Sequence, residues 1–141
     1  MSVQNQILNL LKTVKETRRL TYLFISHDLS VIRFLADRVC VMFLGKICEI
    51  GPTEKVFRQP RHPYTRFLID ASPAPDPSER KKTVRLLKGE PPSPLNPPSG
   101  CRFRTRCPFA KEICAREEPA PRNLDGVLVS CHMPIKEPSP D

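Results

Sequence analysis

All seventeen prolines of this 141-residue chain lie at Pro52 or later. Proline locks φ and has no backbone N–H, so it is kept out of helix interiors and central strands. The stretch before Pro52 therefore reads as regular secondary structure. After Ser72, where runs such as EPPSPLNPP occur, the chain reads as turns and extended segments.

In the first half, Val3, Ile7, Leu10, Leu11 and Val14 recur at helical spacing, with Ser2 placed to cap and Lys15, Arg18 and Arg19 near the end. TYLFI, Thr21 to Ile25, is a short apolar run of the kind buried on both faces of a parallel sheet. The pattern then predicts a helix from about Asp28 to Ala36 and two strands, Val39 to Phe43 and Lys46 to Ile50, joined near Gly45. This order implies an α/β fold with a doubly wound sheet, yet it supplies too few strands to build one. The half looks like the end of something larger, and an isolated buried-type strand is an aggregation hazard unless a partner covers it.

Past Gly51, Thr53 is placed to cap a short helix through Phe57. RHPYTRFLIDAS predicts another helix, with Pro63 in its first turn, Tyr64 packed against the sheet, and Phe67, Leu68 and Ala71 inward. TVRLLKGEPP, from Thr83, alternates enough for an edge strand, and disorder is expected from Pro134.

Residues 1–12 lack the basic-then-apolar order of a signal peptide, and no apolar run approaches a membrane span. The expected compartment is the cytosol, where clustered cysteines point to metal or catalysis before disulfides. Cys101, Cys107, Cys114 and Cys131 follow C-x5-C-x6-C-x16-C. Zinc sites usually bring cysteines in close C-x2-C pairs, and none occurs here. Four thiolates along a Pro-rich loop, with Pro108 stiffening the turn after Cys107, suit a cubane iron–sulfur cluster at least as well. Spacing leaves three readings open: a [4Fe-4S] cluster, zinc, for which His132 beside Cys131 would compete, and unliganded thiols. Cys40 and Cys48 sit among apolar neighbours and read as small buried hydrophobes.

The segment from Arg80 to Met133 has few large apolar residues. A structural metal contributes on the order of 10 kcal/mol of folding energy, so a metal staple is favoured over redox catalysis. The formal charge of +8 invites a nucleic-acid reading. A cubane on four thiolates would add about two negative charges, which Arg102, Arg104 and Arg106 can balance. Phe103 and Phe109 are too sparse for a base-stacking surface, so no nucleic-acid partner is expected.

FISHDLS places His27 just past the carboxyl end of the apolar run, where open α/β sheets bind ligands. TYLFISHDLSVIRFLADRVCVMFLGKICEIGPTEKVF resembles the switch-histidine segment and following strands of the ATP-binding subunits of ABC transporters. PRHPYTRFLIDASPAPDP is similar to the extension found in the oligopeptide and dipeptide importer branch, some of whose relatives import nickel. The likeness runs from Ser2 to about Pro134.

That resemblance implies that His27 contacts the nucleotide γ-phosphate, a role an imidazole suits near neutral pH. It also implies ATP and Mg in an intact domain, and a second ATPase subunit and membrane-spanning permease subunits as partners. The location it implies is cytoplasmic, at the inner face of the cell membrane. Through CRFRTRCPFAKEIC and the later CH it further implies a [4Fe-4S] site on Cys101, Cys107, Cys114 and Cys131.

The sequence has no G-x-x-x-x-G-K-[ST] phosphate loop, no Leu-Ser-Gly-Gly-Gln signature and no apolar strand ending in Asp-Glu. SVQNQILNLL resembles the helix that follows the family's D-loop. The expectation is a truncated subunit without ATPase activity alone, since positioning and charge neutralisation are missing together. Its expected parts are an incomplete nucleotide-binding domain over 1–51, a helical connector over 52–82, a cysteine-rich, metal-stapled module over 83–134, and a disordered tail over 135–141. The rivals are a stand-alone metal-binding structural or regulatory module and a basic nucleic-acid-binding protein.

Overall fold

A computed structural model describes residues 3–72, 90 and 92–135. The expected cap at Ser2, the edge strand from Thr83 to Lys88 and most of the tail lie outside the described residues. The chain forms two compact units, one ending at Asp37 and one beginning at Arg38.

In the first unit, α1 (Val3–Arg18) follows the predicted apolar stripe, although Ile7 and Leu10 stay exposed. The second helix, α2 (Leu29–Leu35), starts where predicted because Asp28 caps it, its carboxylate accepting the N–H groups of Ser30 and Val31 at 2.9 and 3.3 Å. Lys15 ties the two helices by donating to the Leu35 carbonyl and pairing with Asp37 at 2.5 Å.

The structure corrects the reading of TYLFI. Thr21 to Ile25 forms no strand, and Leu23 and Ile25 are 91% and 90% exposed. A strand of this type is stable only with a hydrogen-bonded neighbour on each edge. Among the described residues none pairs with it, so the strand expected over this run does not form.

The sheet that does form lies in the second unit and is wholly antiparallel. Its strands are β1 (Arg38–Phe43), β2 (Lys46–Pro52), β3 (Arg122–Leu124) and β4 (Val127–Val129), in the order β1-β2-β4-β3. Both hairpins turn through two residues of positive φ, Leu44-Gly45 and Asp125-Gly126. Such pairs match the twist of the strands they join. The β1–β2 hairpin was expected; the β3–β4 hairpin was not, and it carries β2 into register with the cysteine-rich segment, Glu49 opposite Val129. The break between the two units falls at 37/38.

Two short helices follow β2. In α3 (Thr53–Arg58), Pro52 takes the cap position and Thr53 is instead the first, buried, helical residue. In α4 (Pro63–Ala71), His62 is the cap, its Nδ1 accepting the Tyr64 N–H at 3.0 Å, and Pro63 sits at the first helical position. Phe67 and Leu68 are half-buried, while Ala71 is exposed. A single turn, α5 (Ile113–Arg116), lies within the cysteine-rich segment.

The core of this unit has two clusters. Val56, Val127, Val129 and Cys131 form one; Phe43, Cys48 and Phe103 form the other, with Tyr64, Cys101 and Cys107 packed against it. The cysteines are thus part of the packing that closes the sheet.

Candidate functional site

Four of the six cysteines gather in the second unit with one backbone habit. The thiol of Cys101 receives the backbone N–H groups of Phe103 and Arg104, that of Cys107 the N–H of Phe109, and that of Cys131 the N–H of Met133. Cys114 completes the set, its Sγ accepting the Lys111 N–H at 3.5 Å. An N–H aimed at sulfur favours thiolate over thiol. Three of the five donors lie two residues after their cysteine, in CRF, CPF and CHM, each with a large apolar residue at the donor position. That repeat was visible in the sequence and is a sharper signal than the C-x5-C-x6-C-x16-C spacing.

Cys48 lacks this arrangement: its Sγ points at the Lys46 carbonyl 3.9 Å away, and burial pushes its thiol up to about 12. Cys40 is exposed. Cys48 is buried as expected but lies beside the site, with Cys101 and Cys107 packed against its cluster and the charges of Cys101 and Cys131 adding to its shift, whereas the exposure of Cys40 corrects the reading of it as a buried hydrophobe.

Without a cation, burial and neighbouring sulfurs oppose ionisation of Cys101, Cys107 and Cys131. Burial, and then the charges of Cys101, Cys107 and Cys114, pushes Cys131 up to about 12 against the single N–H that favours its thiolate. Burial likewise raises Cys101 and Cys107, whose neighbours include Cys114. The four are therefore electrostatic neighbours. Among the described residues no three His, Cys, Asp or Glu side chains converge to metal-ligand spacing. The donor set nevertheless fits a cation or cluster, since a positive centre would offset the burial and the neighbouring sulfurs that raise Cys101, Cys107 and Cys131.

The neighbouring basic residues have definite tasks. The Arg102 guanidinium donates to the Leu44 carbonyl and so clamps the β1–β2 turn to the cysteine loop. Arg104 Nε donates to the Ser99 carbonyl at 3.0 Å, and the Arg104 charge favours the Cys101 thiolate. Arg106 Nε is buried with no partner. His132, a suspected competitor for zinc, instead places Nε2 3.0 Å from the Glu117 carbonyl.

Gly100 closes the loop. Its φ is +63°, the Cys101 N–H beside it donates to the Cys114 carbonyl at 2.8 Å, and a Cβ here would lie 2.4 Å from that carbonyl oxygen. Gly100→Ala should therefore cost about 2 kcal/mol from the left-handed backbone and the clash together. Urea unfolding checks this; an unchanged midpoint would show that the loop does not hold this conformation.

His27 is exposed in the first unit, between Ser26, whose hydroxyl accepts the Asp28 N–H at 3.0 Å, and the Asp28 cap of α2. No described helix is long and apolar enough to cross a membrane.

The second unit is thus a small antiparallel sheet closed by a thiol-rich loop and entered through a His-Pro-Tyr helix start. Residues 48–114, which take in most of β2, the His-Pro-Tyr helix start and Cys101, Cys107 and Cys114, match the family model described as oligopeptide/dipeptide transporter, C-terminal region. The chain is 48% identical over 132 residues to the oligopeptide transport ATP-binding protein OppF of Escherichia coli, covering 93% of this chain and 40% of that protein. It is also 48% identical over 135 residues to the putative oligopeptide transport ATP-binding protein YkfD of Bacillus subtilis, and over 132 residues to the di/tripeptide transport ATP-binding protein DppF of Pseudomonas aeruginosa. Each match covers 94% of this chain and 41% of the relative. The chain is similar to the C-terminal region of the oligopeptide and dipeptide transport ATP-binding proteins, and it spans about two-fifths of the length of these curated relatives.

Proposed function

We propose that this chain serves as the C-terminal part of the ATP-binding subunit of an oligopeptide or dipeptide importer, working at the cytoplasmic face with a second ATPase subunit and membrane-spanning permease subunits. The observation that carries the reading is 48% identity over more than nine-tenths of the chain to proteins named for oligopeptide and di/tripeptide transport. His27 would supply the γ-phosphate contact when the phosphate loop, signature and magnesium-binding strand are joined to it. The 141 residues contain none of those three, so the chain alone should bind no ATP. A chimera tests the reading: this sequence replaces the matching region of E. coli OppF, and oligopeptide uptake is measured. Uptake retained, and lost again on His27→Ala, supports it; a folded, assembled chimera without uptake counts against it.

Within this part, Cys101, Cys107, Cys114 and Cys131 hold a metal group, either a [4Fe-4S] cluster or zinc. The four N–H···S arrangements favour that reading over unliganded thiols. The group would supply a cationic centre that keeps four thiolates together and staples the loop to the sheet. The surrounding residues orient the sulfurs and exclude water, chiefly Phe103, which is 2% exposed.

Anaerobic purification with iron, sulfide and zinc analysis should find one metal group per chain, lost in Cys107→Ser. Equal iron and sulfide with a broad brown absorption identify the cluster, and zinc without sulfide identifies the zinc staple. A metal-free parent would remove the metal reading and leave the importer reading standing.

A further inference from the structure

Glu49 is the one fully buried carboxylate among the described residues, 0% exposed. Strand alternation alone does not bury it beside a buried Cys48. The register of β1 against β2 slips between Val41 and Met42, which pair with Glu49 and Ile47, so Cys48 is left without a β1 partner. This bulge turns two consecutive residues of β2 inward and frees the Cys48 carbonyl to accept the Ser130 N–H at 2.9 Å.

Both oxygens of the Glu49 carboxylate are committed to one turn. Oε1 accepts the Arg61 N–H and Oε2 the His62 N–H, each at 2.9 Å. The turn they hold is the entry to α4, and Arg61 passes the constraint on. Its carbonyl accepts the Ile135 N–H at 2.8 Å, its Nη1 donates to the Ile135 carbonyl at 3.3 Å, and its Nη2 meets Asp125 of the β3–β4 turn at 3.2 Å.

Cys131 lies between two segments that Glu49 governs. Two residues before it, Val129 pairs with Glu49 itself across β2 and β4. Four residues after it, Ile135 is held by Arg61, whose own backbone Glu49 holds. We propose that Glu49 is a positioning residue for the Cys131 thiol and that the His-Pro-Tyr turn is the clasp through which it acts. The motif at positions 62–64 thus serves the cysteine site from outside it, and neither His62 nor Tyr64 is a ligand. The consequence for metal uptake rests on the metal reading above, whereas the clasp itself does not.

The test uses the full, reduced, metal-free chain, alkylated with iodoacetamide and read cysteine by cysteine by peptide mass spectrometry. Cys114 and Cys131 are both buried, so both should label slowly in the parent, with Cys40 fast. Glu49→Gln replaces one acceptor by a donor, and Arg61→Met removes the side-chain half of the grip on Ile135 and the tie to Asp125 while leaving the backbone bonds to Glu49 and Ile135. In each variant Cys131 should label at least about tenfold faster while Cys114 keeps its parent rate. Cys131 unchanged, or Cys114 and Cys131 accelerating together, overturns the proposal; should Glu49→Gln unfold, Arg61→Met decides alone.

A zinc titration of the same proteins adds the second readout. Glu49→Gln should weaken uptake by about 10–100-fold, the usual effect of a residue that orients a ligand. Adding Cys131→Ser to Glu49→Gln should weaken it no further, whereas adding Cys107→Ser should. Full additivity of Cys131→Ser counts against the clasp. A parent that takes up no zinc, iron or sulfide removes the metal reading, and the labelling rates still decide on the clasp.

Discussion

Phe103→Ala should lower the stability of the chain by about 3–5 kcal/mol, the range for truncating a fully buried aromatic. Phe103 is 2% exposed and meets three rings: Phe43 at 5.2 Å in an edge-to-face arrangement, Tyr64 at 5.2 Å and His62 at 5.9 Å. These rings come from β1 and from the start of α4, so one side chain of the cysteine loop joins the sheet to the connector helix. Its backbone N–H also serves the Cys101 thiol, which links the packing of the ring to the orientation of the sulfur. Phe109, six residues along the same loop, is 45% exposed. Phe109→Ala should change stability by less than about 0.5 kcal/mol. Urea unfolding of the two variants gives the comparison, and similar midpoints would mean that Phe103 does not hold the loop to the sheet.

Acid should weaken the fold through His62. The side chain is 2% exposed, and burial lowers its pKa from 6.5 to about 4. Its Nδ1 accepts the Tyr64 N–H, so the proton of the neutral ring sits on Nε2, and protonating Nδ1 would break the cap of α4. A depressed folded-state pKa contributes stability that is fully present above 6.5 and is lost as pH falls towards about 4. At about 1.4 kcal/mol per pH unit the loss is on the order of 3 kcal/mol.

Glu49, which accepts the His62 backbone N–H, runs the other way. Burial raises its pKa, so its contribution is present at low pH and lost as pH rises through the folded value. The comparison that isolates the imidazole is therefore parent against His62→Asn, since Asn caps a helix without titrating. Stability measured from pH 7 to 4 should fall more steeply in the parent, and parallel curves would show that His62 titrates alike in the folded and unfolded chain.

Much of the second unit was legible because its signals are local. The Leu44-Gly45 turn and Pro63 at the first position of α4 each act within a few residues, as does the Asp28 cap in the first unit, and each element formed where these residues placed it. The Asp125-Gly126 pair is an equally local signal, and it was passed over because its flanking strands are only three residues long. TYLFI shows the opposite failure. Its composition suits a buried strand, but burial depends on neighbours that the run itself does not encode. The four cysteines were found from chemistry and spacing, whereas Glu49 was not, because its burial follows from a one-residue bulge in the pairing of β1 with β2.

The pairing of β2 with β4 also sets an order of events during synthesis. Val129 follows Glu49 by about eighty positions, so at roughly 5–20 residues per second the β1–β2 hairpin waits several seconds on the ribosome for its third strand. An open strand edge is a template for pairing with other nascent chains, and an inward-pointing charge is one of the ways such edges are kept from doing so. Glu49 is that charge, and its partners Arg61 and His62 emerge only a dozen residues behind it. The hairpin therefore gains its polar contacts early and its strand late, and the carboxylate guards the edge in the interval.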